Sequence, residues 1–546
     1  AINFLSESGL EESISWEVLY EKVCKFSSYL KSLNLKKGDR VAAYVPNKIE
    51  TVISFLACAK NGIIWSSCSP DFGVRGVVDR FKQIEPKVLI TSDYYFYNGK
   101  KNNILEKIDD ILTKIESIKK VILFSYNSKN KNKINKYINF HEVISNSNLD
   151  ENFERFEFNH PIYILYSSGT TGKPKCITHG AGNVLIEHNK EFMLHCDIRR
   201  NEKIFYYTTT GWMMWNWLVG GLAIGASIYL FDGAPTYPKI DILLQYCQNK
   251  KINLFGVSAK YIDHLKNENF DSKNLDLSSI KIITSTGSTL SEESFKYVYD
   301  KIKKDVHLAS IAGGTDLVGC LVLGNLYSNV YKGEIQGQSL GIDVDVFLDN
   351  GKSTKEGEQG ELVVKQPFPS MPIKFWGDID GEKYHKAYFS KFKNIWHHGD
   401  YIERTSNNGF IMRGRSDATL NPGGVRIGTS EIYQQVEDIN FITEGLVVGQ
   451  DYKDDIRIIL FVTTKDNQEL DEEKIKLIKM KIRKNCSPKH VPSLIIKVPE
   501  IPRTKSGKIV ELAVRKVINK EELNNLEAIA NPKSLDFFKN LPQLKI

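Results

Sequence analysis

Residues 163–180, YILYSSGTTGKPKCITHG, combine hydroxyl, glycine and lysine residues directly after an apolar run. Glycines let backbone N–H groups approach a phosphate closely, hydroxyls donate hydrogen bonds to it, and lysines supply positive charge. The P-loop pattern G-x-x-x-x-G-K-[ST] does not fit, because Gly169 and Gly172 are only three apart and Pro174 follows Lys173. The stretch therefore predicts a phosphate-binding loop of another kind at the end of a buried strand.

Shorter strings farther along the chain also carry reactive or polar groups. TSTGST at 284–289 predicts a tight glycine turn, and AGGTD at 312–316 sets a threonine hydroxyl beside an aspartate carboxylate. WHHGD at 396–400 ends in Asp400, and a carboxylate can accept two hydrogen bonds from a ribose diol. Its adjacent residues His397 and His398 would point to opposite faces of a strand, so we expect no metal site there.

Two strings near the C-terminus are rich in arginine, lysine and glycine. GRSDATLNPGGVRIGTSEIY at 414–433 places arginines among turn residues, and PRTKSGKIVELAVRK at 502–516 places Lys508 in a glycine-containing loop. A lone lysine or arginine is usually a solvated surface residue. A lysine held where negative charge builds up in a reaction would instead stabilise the transition state.

The elements that must position these groups alternate between helix and strand. Residues 16–30 have apolar side chains at helical spacing behind Ser15, a suitable N-cap, and strand–helix–strand patterns follow as far as residue 92. Such alternation predicts parallel sheets with crossover helices. Residues 217–231 predict a buried helix–strand unit, and the lysine- and asparagine-rich residues 128–138 predict a solvated loop.

Length and composition exclude several classes of protein. A chain of 546 residues is too long for a single hydrophobic core, so we expect two or more domains. A net charge of +7 over 73 basic and 66 acidic residues does not indicate nucleic acid binding. The 8 cysteines form no CxxC, so we expect no zinc site or disulfide framework and a cytoplasmic location. No apolar run would span a membrane, and no signal peptide is evident. The chain begins at Ala1 without methionine, and we expect a fragment or a processed product.

SSGTTGKPK resembles the phosphate-binding signature of the adenylate-forming enzymes, and the other strings match further family signatures in order. These enzymes use ATP to convert a carboxylate to an acyl-adenylate, release pyrophosphate, and pass the acyl group to a thiol or another acceptor. The resemblance implies ATP and coenzyme A (CoA) as substrates, with Mg²⁺. It assigns ATP or AMP binding to Ser167, Ser168, Gly169, Thr170, Thr171, Gly172, Lys173, Lys175, Gly287, Ser288, Thr289, Gly314, Thr315, Asp400, Arg415 and Arg426.

Several individual roles follow from the same resemblance. Lys508 matches the lysine that bridges the carboxylate and the α-phosphate, and Thr315 and Arg426 match residues that contact the phosphates. Asp316 replaces the usual glutamate beside the metal, one methylene shorter, so a water could bridge it to Mg²⁺. By analogy with related enzymes, acetylating and deacetylating enzymes would act on Lys508.

The resemblance also implies an architecture. It predicts an α/β fold: residues 1–416 form a large domain of parallel βαβ sheets with a distorted β-barrel, and 417–546 form a small, mobile α+β domain. Asp417 matches the hinge, and Gly423 and Gly424 would let the chain pass close to the pantetheine arm of CoA. Lys100 is a weaker candidate for the CoA phosphate, because the arginines that related enzymes use are absent from 93–101.

The acyl substrate follows from a closer match to one branch of the family. Residues 208–226, TTTGWMMWNWLVGGLAIGA, supply Trp212, Met213 and Met214 as candidates for the acyl pocket, and Cys176 is expected only to pack. Together with GGTD and 414–433 they resemble the acetoacetate–CoA ligases. Members of that branch have an N-terminal extension ahead of the point where this sequence starts, so we expect that a cap region is missing from it.

Other functions stay open at this point. A ligase for acetate, propionate or another short acid is the alternative. A peptide-synthetase adenylation domain fits less well, because the sequence shows no carrier-protein serine motif. A nucleotide- or RNA-binding protein without catalysis fits less well, because Lys508, Asp400 and Arg426 are all retained.

Overall fold

We describe a computed structural model of the chain over residues 1–127, 136–167, 174–418, 420, 422, 427–437, 439–452, 455–485, 488–505, 507–523 and 526–544. The first predicted helix is confirmed as Trp16–Ser32, where the Ser15 side chain accepts a hydrogen bond from the Val18 N–H. Most of the predicted loop at 128–138 lies outside the described residues.

The strands, in chain order, are β1 Ile2–Ser6, β2 Glu11–Ile14, β3 Arg40–Tyr44, β4 Ile64–Cys68, β5 Val88–Ser92, β6 Tyr94–Tyr97, β7 Lys100–Asn103, β8 Lys120–Phe124, β9 Ile138–Asn139, β10 Pro161–Tyr166, β11 Cys176–Gly180, β12 Lys203–Tyr206, β13 Ser227–Asp232, β14 Leu254–Ser258, β15 Ile282–Thr286, β16 His307–Ser310, β17 Ala312–Gly314, β18 Gly319–Leu323, β19 Gly337–Gln338, β20 Val344–Phe347, β21 Gln359–Val364, β22 Lys374–Phe375, β23 Trp396–Arg404, β24 Phe410–Arg415, β25 Ile442–Tyr452, β26 Asp455–Thr464 and β27 Leu494–Lys497. The α-helices are α1 Trp16–Ser32, α2 Ile49–Lys60, α3 Val74–Ile84, α4 Leu105–Lys114, α5 Phe140–Asn146, α6 Ala181–Lys190, α7 Met213–Gly220, α8 Ile242–Lys250, α9 Ala259–Asn267, α10 Glu292–Tyr297, α11 Glu382–Tyr388, α12 Thr429–Glu437, α13 Glu472–Asn485 and α14 Glu511–Ile518.

Two large, mainly parallel sheets build the N-terminal part, as the alternation predicts. The first has the order β16-β15-β14-β12-β13-β1-β2 and the second the order β22-β11-β10-β4-β3-β5-β8-β9. Antiparallel pairs occur toward the edges, at β1–β2, β10–β11 and β11–β22. The predicted helix–strand unit is confirmed by α7 and β13, whose apolar side chains join the core between the sheets. Because parallel strands end at a common edge, the loops that follow them meet there.

The part expected to be a distorted barrel consists of two antiparallel sheets around one core. The strand orders are β17-β18-β19 and β20-β21-β23-β24. An isolated antiparallel bridge pairs Ile335 with Phe410, the first residue of β24. Side chains of β18, β20, β21 and β23 pack together in this core. Among the described strands the pairing does not close into a ring.

The C-terminal part has its own sheet and its own apolar clusters. Strand β26 pairs antiparallel with β25 and parallel with β27, and α12, α13 and α14 pack around them. This is the α+β composition expected for that region, while the boundary at 416–417 and its mobility stay predictions. Within the described ranges, no helix combines the length and apolar character needed to cross a bilayer.

Candidate functional site

A cavity of about 1080 Å³ lies where the strand ends of the N-terminal part meet the C-terminal part. The loops after β4, β12, β13 and β14, the end of β10 and the hairpin β6–β7 form its N-terminal walls. The C-terminal part closes it with the Thr504–Lys508 loop and residues 526–530. In open α/β sheets, ligands generally bind at the edge where the parallel strands end, and this cavity lies at that edge.

Lys508 faces this cavity from a tight loop. The Lys508 N–H donates to Thr504 Oγ1 over 3.0 Å, and the Thr504 N–H donates to the Lys508 carbonyl over 2.8 Å. The side chain is accessible from the cavity. Burial within the cleft lowers the pKa of Lys508 from its usual 10.5, and the Asp400 and Asp316 carboxylates only partly offset this effect. The loop therefore presents an ammonium group to enclosed space.

Asp400 and Arg415 lie opposite each other on neighbouring strands. The register of β23 and β24 pairs them, and Arg415 Nη1 donates to Asp400 Oδ1 over 3.0 Å. Gly399 has a left-handed φ of +84°, and a Cβ there would come within 2.9 Å of Arg415 Nη2. The left-handed φ favours glycine at this position, and the absence of a Cβ leaves room for the arginine beside the strand.

Thr315 lines the cavity, and its neighbour Asp316 is fixed by a hydrogen bond from Tyr388. The Tyr388 hydroxyl donates to Asp316 Oδ1 over 2.5 Å, while the Tyr388 ring stacks on Trp396 with centroids 3.7 Å apart. Burial alone would raise the pKa of Asp316, but His398, the Tyr388 hydroxyl and Lys175 together hold it below its usual value. The carboxylate is therefore kept ionised without being exposed.

The two ends of the predicted phosphate-binding loop are close together. The Ser167 N–H donates to the Lys175 carbonyl over 3.3 Å, as β10 and β11 pair antiparallel on either side. The buried Ser167 hydroxyl has no hydrogen-bond partner among the described residues. Lys175 Nζ lies 5.8 Å from the centre of the Tyr388 ring, which links the loop to Asp316. The predicted residues Ser168, Gly169, Thr170, Thr171, Gly172 and Lys173 lie outside the described residues.

The predicted acyl-pocket residues separate in the structure. Trp212 and Met213, where α7 begins, line the cavity. Met213 and Met214 both pack in the core, but Met214 does not line the cavity. Asn216 follows them on the same helix. It is 3% exposed, and within the described structure neither its Oδ1 nor its Nδ2 has a hydrogen-bond partner. A buried side-chain amide without a partner is rare and calls for a ligand or another explanation.

The remaining predicted positions lie around this centre. Gly287 forms a left-handed turn after β15 with a φ of +93°, followed by Ser288 and Thr289, and Gly314 ends β17. These four residues do not line the cavity, and neither does the exposed Lys100 on β7. Gly423, Gly424 and Arg426, and the side chain of Asp417, lie outside what the structure describes.

The two histidines behave as the strand pattern predicts. His397 Nε2 lies 3.0 Å from Glu361 Oε2, whereas His398 Nε2 lies 3.6 Å from Asp400 Oδ2 on the other face. Across the described ranges no group of three or more histidine, cysteine, aspartate or glutamate residues could hold a metal ion. Asp316 would fit only a Mg²⁺ site that takes its other ligands from ATP phosphates and water.

Sequence reasoning missed residues that only the fold brings to the cavity. Lys505 Nζ donates to the Asp71 carbonyl over 2.7 Å and lies 4.1 Å from the centre of the Phe72 ring. Glu527 accepts a hydrogen bond of 3.1 Å from the Gly76 N–H. Lys505 belongs to the same string as Lys508 and could have been noticed, but no local pattern marks Glu527 or Asp71.

Comparison with known proteins gives consistent matches. A family model described as AMP-binding enzyme matches residues 2–371. Acetoacetyl-coenzyme A synthetase of Rhizobium meliloti is 48% identical over 100% of this chain and 84% of its own, and acetoacetyl-CoA synthetase of Gallus gallus is 43% identical over 99% and 83%. The solved structure of acetoacetyl-CoA synthetase from Streptomyces lividans superimposes with a TM-score of 0.93 at 37% identity, over 100% of this chain and 84% of that one.

Proposed function

This chain belongs to the acetoacetyl-CoA synthetases of the AMP-binding enzyme family, and from that premise we propose that it ligates acetoacetate to CoA at the expense of ATP. The observation that carries the proposal is the single cavity that Lys508, Thr315, Trp212 and Met213 share. A charged end and an apolar end in one cavity suit a short acid that is activated by a nucleotide.

The reaction consists of two balanced steps. An acetoacetate carboxylate oxygen attacks the α-phosphorus of ATP, the bond to the β-phosphate oxygen breaks, and pyrophosphate leaves. The thiol of CoA then attacks the acyl carbon of the adenylate, loses its proton, and displaces AMP. Neither step needs a catalytic cysteine. Cys176 is buried, and burial raises the pKa of its thiol to about 12, which suits a packing role.

Within this proposal the charged residues act on the nucleotide. Lys508 stabilises the negative charge that develops between carboxylate and α-phosphate, together with Thr315 and Arg426. The 163–180 loop and the turns at Gly287–Thr289 and Gly314 hold ATP, Asp400 accepts from the ribose hydroxyls, and Arg415 orients Asp400. When bound, Mg²⁺ would neutralise phosphate charge, and Asp316 would hold it through a water.

We propose that the N-terminal and C-terminal parts are arranged here as they are during adenylation. Lys508 lines the cavity and lies within electrostatic reach of Asp400 and Asp316. We propose that rotation about Asp417 withdraws Lys508 after adenylation and opens a path for CoA past Gly423 and Gly424 and toward Lys100. A hinge can absorb such a change at a few residues.

The acyl specificity is proposed to depend on Asn216. Trp212 and Met213 line the cavity. Asn216 lies behind the lining, four and three residues after them, which is the spacing of neighbours on a helix surface. Its unpaired amide could donate to the C3 keto oxygen of acetoacetate. Butyrate has nearly the same size but lacks that oxygen, so it would leave the amide unpaired.

Two further parts of the proposal concern the cell. Seven described cysteines are buried and free, which supports a reducing cytoplasmic location. Lys508 is accessible from the cavity, so acetylating enzymes could remove its charge and deacetylating enzymes restore it.

The test is AMP formation with acetoacetate, acetate, butyrate and 3-hydroxybutyrate in parallel, each with CoA, ATP and Mg²⁺ and with each component omitted in turn. We expect acetoacetate to exceed butyrate by more than the ~10–200-fold that shape alone provides. Equal use of acetate or butyrate would retain the adenylation chemistry and reject acetoacetate as the specific substrate. It would favour a general short-chain ligase instead.

A further inference from the structure

An ionic chain connects the loop that carries Lys508 to the opposite wall of the cavity. It begins at Lys260, near the start of α9 in the N-terminal part, whose ammonium donates to Glu444 Oε1 on β25 of the C-terminal part. Arg503 Nη2 lies 3.3 Å from the same oxygen. One carboxylate therefore receives a cation from each part of the molecule.

Arg503 carries the connection into the loop. Its Nη1 donates to the carbonyl of Gly507, the residue immediately before Lys508, over 2.7 Å. The backbone N–H of Arg503 donates to Asn531 Oδ1 over 2.9 Å. Gly507 has a φ of +83°, so the loop adopts a turn that depends on glycine at this point. The Arg503 guanidinium thus contacts two acceptors, Glu444 Oε1 and the Gly507 carbonyl, and a planar group held in this way is a rigid support for such a turn.

Lys260 also lies beside the loop. A Cβ at Gly507 would lie 4.0 Å from Lys260 Cγ, which is van der Waals contact. Burial alone would raise the pKa of Glu444, but Arg503 and Lys260 more than offset it and hold that pKa below its usual value. Glu444 is therefore ionised at neutral pH, and both of its cationic partners remain attracted to it.

We propose that Glu444 is a positioning residue for adenylation, which locks the Lys508 loop in its catalytic position by joining Arg503 to Lys260. This inference rests on the proposed function, because it assigns Lys508 to the adenylation step. Rotation of the C-terminal part breaks the contact between Lys260 and Glu444, since the two residues lie on different parts. The ionic chain thus favours the adenylation orientation and has no role in thioester formation.

The test uses the full chain with Glu444→Gln, and with Lys260→Met as a second variant that leaves the Glu444–Arg503 pair intact. The control is Asp451→Asn, which makes the matched carboxylate-to-amide change on the same strand. Asp451 is exposed and lies 3.9 Å from Arg515, away from the Lys508 loop. Each protein is assayed for acetoacetate-dependent exchange of pyrophosphate into ATP, and for transfer to CoA from adenylate already formed on the enzyme.

We expect exchange to fall about tenfold in both variants, in keeping with the loss of a charge-assisted contact, while transfer to CoA stays within about twofold. Asp451→Asn should match the wild type in both assays. A merely structural role for Glu444 would slow the two steps equally, and that result would overturn the inference, as would unchanged exchange.

Trypsin cleavage after Arg503, Lys505 and Lys508, with Mg·ATP present, reports on the loop without any acyl substrate. We expect cleavage to be about tenfold faster in Glu444→Gln than in the wild type or in Asp451→Asn. Faster cleavage in a protein that does not use acetoacetate would support the positioning role and reject the proposed substrate. Unchanged cleavage would overturn the positioning role whatever the substrate.

Discussion

Asn216 allows the sharpest test of how the acyl pocket selects its substrate. Leucine has the same number of side-chain heavy atoms and the same branching as asparagine but cannot hydrogen-bond, so Asn216→Leu changes polarity while keeping the branched shape that packs on α7. The side chain is 3% exposed and its amide has no partner in the described part of the chain. The perturbation therefore removes the two N–H donors and the carbonyl acceptor of the amide and leaves no cavity.

The magnitude follows from the two substrates. A neutral hydrogen bond contributes about 0.5–1.5 kcal/mol, and leaving a buried amide unpaired costs about 1–3 kcal/mol. Acetoacetate would gain the first and avoid the second, whereas butyrate would do neither. The sum corresponds to a preference for acetoacetate of about 10- to 10³-fold from this residue. Asn216→Leu should reduce the acetoacetate-to-butyrate ratio of kcat/KM by that factor.

Stability should change in the opposite direction. In the ligand-free protein the wild-type amide is buried without a partner, so leucine should raise the free energy of unfolding by about 1–3 kcal/mol. Such a gain in stability at the cost of specificity is typical of functional sites. A thermal melt of the ligand-free variant, beside the wild type, measures it.

The assay is the initial rate of AMP formation with acetoacetate and with butyrate over a range of concentrations. Leu218→Met serves as the control, because it is a volume-conserving change of a buried residue on the same helix. A ratio unchanged by Asn216→Leu would refute the argument. A large loss of stability would also refute it, because it would mean that the amide has a partner within the protein.

Four further predictions concern the charged residues and the glycine beside one of them. Lys508→Gln should reduce pyrophosphate exchange about 10²–10³-fold and leave transfer from preformed adenylate to CoA nearly unchanged, and equal losses in both steps would contradict its role. Because burial lowers the pKa of Lys508, wild-type exchange should decline as the pH rises, at a pH below 10.5, whereas Lys508→Gln should lack that decline. Glu361 contacts Lys391 over 2.5 Å and His397 over 3.0 Å. Burial raises the pKa of Glu361, but hydrogen bonds from His397, Lys391 and Ser416 outweigh this effect and lower the pKa from 4.5 to about 2. Its contribution, about 3 kcal/mol, is therefore present above pH 4.5 and is lost as the pH falls toward 2; urea unfolding from pH 7 to 3 should show a shallower acid loss for Glu361→Gln. Gly399→Ala should raise the KM for ATP about tenfold, because its Cβ would displace Arg415 from Asp400, and an unchanged KM would show that this pair does not support ATP binding.

Much of this protein could be predicted from the sequence because its signals are local. The spacing in residues 16–30 indicates a helix whatever surrounds it, and the alternation of apolar strands with amphipathic helices indicates parallel sheets. Short strings such as SSGTTGKPK and PRTKSGK are similarly self-contained, because a loop that binds phosphate needs its glycines, hydroxyls and lysines close together in the chain.

The arrangement of those strings in space was decided only by the tertiary structure. Met213 and Met214 are adjacent, chemically alike and both packed in the core, yet only Met213 also lines the cavity. Lys260 and Glu444 are 184 residues apart and meet only because the C-terminal part packs over the strand ends. Contacts of this kind depend on how whole sheets pack, so no periodicity or spacing in the chain encodes them.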